Sequence, residues 1–76
     1  MITVYSIPNC PWCHKVKKYL ELKDEAYTEI NVEEDEAGRA ELLRLTNQLN
    51  VPVANINQNL VIGFDKEKID EYLALK

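Results

Sequence analysis

The chain has two thiols, and two residues separate them in Cys10-Pro11-Trp12-Cys13. A run rich in strand formers, Ile2 to Ile7, comes just before them, and a helical pattern from His14 to Leu22 follows. The first thiol therefore falls where a strand ends and a helix begins. A helix N-terminus offers unpaired backbone N–H groups and a partial positive charge. Both favour the thiolate, which is the nucleophile. Pro11 suits the first helical position, where a missing N–H costs nothing. These residue types at this spacing point to thiol–disulfide exchange. Cys10 would attack a disulfide, and Cys13 would resolve the mixed disulfide.

Other uses of the pair fit less well. Cys-x-x-Cys-His is also a c-type haem attachment motif, with His14 as an axial ligand. The other ligand would then have to be Met1, because the chain has no second His. A structural zinc site wants four Cys or His ligands, and Cys10, Cys13 and His14 make only three. No resident metal is expected. A purely structural bridge over so short a loop would add little chain-entropy stabilisation.

The elements that must hold the pair can be read in order. In β1, Ile2, Val4 and Ser6 share one face while Thr3, Tyr5 and Ile7 share the other. Both faces are fairly apolar, as in a central strand covered on both sides. Pro8-Asn9 breaks the strand. A helix over Pro11 to Lys23 carries Cys13, Val16 and Leu20 on one stripe and Trp12, Val16 and Tyr19 on a second, with Lys15, Lys17 and Lys18 opposite. Tyr27 to Val32 alternates as a second strand, and the long crossover implies a parallel pair. Glu33-Glu34-Asp35-Glu36 is expected to open the second helix, since acidic residues suit a first turn. Ala40, Leu43 and Asn47, flanked by Leu42 and Leu45, continue it to Gln48, and Gly38 weakens it locally. Val53 to Ile56, a turn at Asn57-Gln58-Asn59, and Leu60 to Ile62 form a hairpin. Gly63 permits an unusual backbone angle or a close approach. Asp65 caps a last helix with Ile69, Tyr72 and Leu73 inside.

The order is strand, helix, strand, helix, strand, strand, helix, an α/β domain expected to span residues 1–76. A core of this size is feasible without metal. The net charge of −4 argues against nonspecific nucleic-acid binding. No stretch is long enough to span a membrane, and Ile2–Ile7 is too short and lacks the basic start of an export signal. A cytoplasmic monomer is expected, and in a reducing compartment such a pair is catalytic more often than structural.

Cys-Pro-Trp-Cys-His after Ile-Thr-Val-Tyr-Ser resembles the redox motif of the glutaredoxins, with Trp12 in place of the more usual Tyr. The element order is similar to their thioredoxin-like fold, a four-stranded mixed sheet with three helices, βαβαββα. The resemblance implies glutathione as co-substrate, with no bound cofactor, and disulfide-containing proteins as partners. It implies a cis bond at Val51-Pro52, beside the redox motif, which would leave the Val51 backbone free to pair with an extended substrate. It implies a third contact at the turn Gly63-Phe64-Asp65, where backbone N–H groups at a helix start would take a carboxylate.

The chain also departs from that family. The first Gly of the usual Gly-Gly-x-Asp turn is Ile62, and the usual cation three residues before the first Cys is Ile7. Loss of that cation should weaken glutathione binding and thiol activation. Gln48 could partly substitute. The Gly-Phe turn also resembles glutaredoxin-like hydrogen donors of ribonucleotide reductase, which thioredoxin reductase recycles. Cys-Pro-aromatic-Cys and Asp65 favour the glutathione-using members, served by glutathione reductase. A non-enzymatic iron–sulfur or metal carrier is the rival of another class, and Pro11 disfavours it.

Overall fold

A computed structural model describes residues 1–74; positions 75 and 76 of the expected domain lie outside the described residues. The strands are β1 (Ile2–Ser6), β2 (Thr28–Asn31), β3 (Val53–Ile56) and β4 (Asn59–Ile62). The helices are α1 (Pro11–Leu22), α2 (Glu36–Thr46) and α3 (Lys66–Ala74). They follow the expected order, and the strands form one mixed sheet in the order β2-β1-β3-β4. β1 runs parallel to β2, with Thr3 opposite Thr28, and antiparallel to β3, with Val4 opposite Ala54. β3 and β4 make the antiparallel hairpin, with Ala54 opposite Val61.

The period-2 pattern of β1 decides which layer each side chain joins. Ile2 and Val4 pack with Ala54, Ile56 and Val61 of the neighbouring strands, beneath Val16 and Leu20 of α1 and Ile69 of α3. Tyr5 and Val53 face the other way and pack with Leu42 of α2 and with Val32, just past the end of β2. The sheet is thus covered on both faces, and β1, which leads into the thiols, runs between neighbours on both sides. Each fully buried aliphatic side chain contributes about 1.5–3 kcal/mol.

The second helix differs from its expected form. Glu33 and Glu34 lie in a turn before it, and Asp35 is the N-cap, its carboxylate accepting the Gly38 N–H at 2.8 Å. The helix ends at Thr46 rather than Gln48, because Asn47 turns left-handed at φ 60°. Its inner face is Gly38, Leu42 and the half-buried Leu45, whereas Ala40, Leu43 and Asn47 face solvent. Gly38 is there for contact: a Cβ at that position would overlap the Ile30 Cγ2 methyl of β2. Smaller shifts affect Tyr27, which lies just outside β2, and Asn59, which belongs to β4 instead of the turn. That turn uses left-handed Asn57 and Gln58.

Candidate active site

The thiols sit where β1 meets α1. Asn9 takes a left-handed conformation, φ 59°, and swings the chain out of the strand. Cys10 is then the N-cap of α1, with Pro11 inside the first turn. The Cys13 N–H donates to the Cys10 sulfur at 3.1 Å. A first-turn amide of the helix is therefore aimed at the outer sulfur, and a bond of that kind favours the charged form of a thiol. His14 N–H closes on the Cys10 carbonyl at 3.0 Å as the regular helix begins.

Cys10 and Cys13 are joined as a disulfide, with Cα atoms 5.2 Å apart. The two sulfurs differ in access: Cys10 is half-buried, while Cys13 is 1% exposed on the inner stripe of α1. An incoming reactant meets Cys10 first. Trp12, between them, is 56% exposed, and the Lys15 ammonium lies 4.5 Å from its ring centre.

One other segment meets this corner through a ring contact, and a second is tied to that segment by a backbone hydrogen bond. The Val51–Pro52 bond is cis, and the Pro52 carbonyl accepts the Gly63 N–H at 2.8 Å. That bond ties the proline turn to the end of β4. Gly63 holds φ at 79° with open space around its Cα, so backbone conformation rather than crowding calls for glycine there. Phe64 turns back toward α1, its ring 6.4 Å from that of Trp12 and 6.0 Å from that of Tyr19. Asp65 starts the last helix by accepting the Lys68 N–H at 3.1 Å. The structure thus connects Cys10, Pro11, Trp12 and Cys13 with Pro52, Gly63 and Phe64, and places Val51 and Asp65 next to them in the chain. Gln48 is different. It is exposed, and its hydrogen bonds, to Thr46 and Asn50, stay within its own loop. Ile7 packs half-buried against the Tyr5, Val32, Leu42 and Val53 cluster.

A cleft of about 710 Å³ opens on the other side of Cys10. Pro8, Asn9, His14, Lys15, Lys17, Glu29 and Asn31 line it, and none of Val51, Pro52, Gly63, Phe64 or Asp65 does. Ser6, buried at the end of β1, donates its hydroxyl to Glu29 Oε2 at 2.8 Å, and the Lys17 ammonium meets the same oxygen at 2.8 Å. The bonds from Lys17 and then Ser6 hold the Glu29 carboxyl below its usual range. Sequence reasoning passed over these groups. The one signal was Ser6, a polar residue on an otherwise apolar strand face.

The model of the glutaredoxin family matches residues 2–61, which include both cysteines and the proline turn. The chain belongs to the glutaredoxin family. It is 44% identical over 73 residues to an uncharacterized glutaredoxin-like 8.6 kDa protein in the rubredoxin operon of Clostridium pasteurianum, covering 96% of this chain and 97% of that one. A thioredoxin-like protein of known crystal structure superposes with a TM-score of 0.88 at 36% identity, covering 95% of this chain and 99% of that one. The glutathione complex of buckwheat glutaredoxin superposes at 0.76 with 28% identity, over 97% of this chain and 73% of that one. The fold is therefore thioredoxin-like, and a glutaredoxin with a Cys-x-x-Cys pair supports thiol–disulfide oxidoreductase chemistry.

Proposed function

We propose that this glutaredoxin is a dithiol oxidoreductase that reduces protein disulfides and glutathione mixed disulfides, with glutathione as co-substrate. Cys10 attacks, and Cys13 displaces the bound partner and leaves the Cys10–Cys13 disulfide. The observation that carries this reading is the pair's asymmetry: the accessible sulfur receives a helix N–H at 3.1 Å, and the second sulfur lies buried behind it. Val51 and the turn at Gly63, Phe64 and Asp65 supply the backbone groups for the substrate, and Trp12 packs against it. The protein acts as a monomer in the cytoplasm, where a reducing pool keeps the pair in use.

A second reading has its own support. Ile7 is an apolar side chain packed on the core where glutaredoxins usually carry a cation, and Ile62, 54% exposed, stands where the first turn glycine would be. Both weaken the case for glutathione. They favour recycling by thioredoxin reductase, with a protein such as ribonucleotide reductase as acceptor. The deciding assay supplies the oxidised protein with glutathione plus its reductase, or with thioredoxin reductase, and records which restores the thiols. Cys10→Ser is expected to abolish all exchange. Cys13→Ser is expected to keep glutathione mixed-disulfide reduction and lose protein-disulfide reduction. Equal loss of both in the Cys13 variant would overturn the division of labour.

A further inference from the structure

We infer that the cleft on the β2 side of Cys10 binds one half of a small disulfide bearing both a carboxylate and an ammonium group, with Lys15 taking the carboxylate and Glu29 the ammonium. This rests on the reading of Cys10 as the attacking thiol. Its volume, about 710 Å³, is in the range that small-molecule sites occupy. Cys10 is part of its wall, and Cys13 is not. A molecule held there presents its sulfur to the nucleophile alone.

The charges of the wall select the ligand. Lys17 and Glu29 already satisfy one another through Oε2, and Ser6 uses that oxygen as well. Among the described residues Glu29 Oε1 receives no hydrogen bond, so one carboxylate oxygen is left to accept. The Lys15 ammonium is stacked over Trp12 and makes no ion pair among the described residues. Asn9 adds a neutral amide that bonds either kind of group, and Asn31, whose Oδ1 already accepts the Glu33 N–H at 2.9 Å, adds amide donors. One unpaired cation and one available anionic oxygen suit an amino-acid-derived thiol better than a purely anionic or apolar one.

The chemistry balances without a further reactant. The Cys10 thiolate bonds to one ligand sulfur, the S–S bond breaks, and the other half leaves as a thiolate that takes a proton from water. Cys13 thiolate then bonds to Cys10 and releases the second half. Two electrons pass from the protein dithiol to the small disulfide.

The test uses pre-reduced protein in single-turnover reactions with cystine, dithiodipropionate (anionic only), cystamine (cationic only) and the neutral hydroxyethyl disulfide. Lys15→Met is expected to lower the rates for cystine and dithiodipropionate relative to the neutral disulfide by roughly tenfold, the scale of a lost charge-assisted hydrogen bond. Glu29→Gln is expected to lower cystine and cystamine relative to the neutral disulfide. Glutathione disulfide, run alongside, separates a tripeptide occupant from an amino-acid one by which of the two loses more rate in Lys15→Met. Unchanged rate ratios in both variants, with the protein still reducing the neutral disulfide, overturn the cleft assignment alone. Failure of the wild-type protein to reduce any of them overturns the thiol chemistry beneath it.

Discussion

One backbone amide and one missing charge set the reactivity of Cys10. The amide of Cys13 stands 3.1 Å from its sulfur and favours the thiolate. The missing charge is at Ile7, whose side chain joins the core cluster beneath the loop. Placing a cation there gives a direct measure of what the chain forgoes. In Ile7→Lys the thiol pKa of Cys10 is expected to fall by about 1 unit, the low end for a nearby opposite charge. The thiolate's ultraviolet absorbance, followed against pH in the reduced protein, reads it. Turnover of glutathione mixed disulfides should rise with it. The variant also loses the packing of Ile7, so its stability should drop while its reactivity gains. A fall in stability with no change in the thiol's titration would mean that the helix amide already dominates.

How elements meet explains what could and could not be read in advance. Each strand and helix announces itself through its own period, so a first strand over Ile2–Ile7 and a first helix over Pro11–Lys23 stood out in the sequence, each one residue longer than the element that forms. The hairpin stood out because the polar run Asn57-Gln58-Asn59 suits a turn, and Gly63 because glycine permits an unusual backbone angle or a close approach, of which the structure uses the first, φ 79°. The inner face of α2 did not. A glycine leaves no hydrophobic mark, so Ala40 and Leu43 looked like the stripe while Gly38 and Leu42 were buried. Intrinsic propensity favours alanine over glycine in a helix by about 1 kcal/mol. Gly38→Ala is nonetheless expected to destabilise the protein by about 1–3 kcal/mol, the usual cost of overpacking, because the new methyl meets Ile30. Urea unfolding checks the sign, which is opposite to that for an exposed helical glycine. The Glu29 contacts were equally invisible, because they depend not on the parallel pairing itself, which was expected, but on its register, which sets Ser6 opposite Asn31 and brings Glu29 beside α1. Their effect has a direction in pH. The Glu29 carboxyl titrates below its ordinary 4.5 because Lys17 and then Ser6 bond its charged form. Its contribution is therefore complete above that ordinary value and is lost as pH falls through the lower, folded one. The stability gap between wild type and Glu29→Gln should close across that acid range, as followed by thermal melts at stepped pH.

The whole molecule is a single sheet with a hydrophobic layer on each face, and the redox corner lies at the end of β1, which like β3 contributes to both layers. Leu20 anchors the layer under α1 and α3, and Leu42 anchors the one under α2; each is fully buried. Truncating either to alanine should cost about 2–5 kcal/mol. A domain of this length holds only about 4–11 kcal/mol in total. The two sites belong to different clusters, so their losses should nearly add. Each single variant is then expected to unfold in one transition at a lower urea midpoint with an unchanged slope. Trp12 fluorescence, which reports the corner beside the thiols, should track far-ultraviolet circular dichroism throughout. The double variant should be largely unfolded without denaturant, and its Cys10 should react with alkylating agents as a free thiol does. Two separated transitions in the Leu42→Ala protein, with the fluorescence change confined to one of them, would show instead that the α2 layer can melt while the helix that presents Cys10 stays in place. In that case the sheet with α1 and α3 would be the part that sustains the site, and α2 would contribute stability without shaping the chemistry.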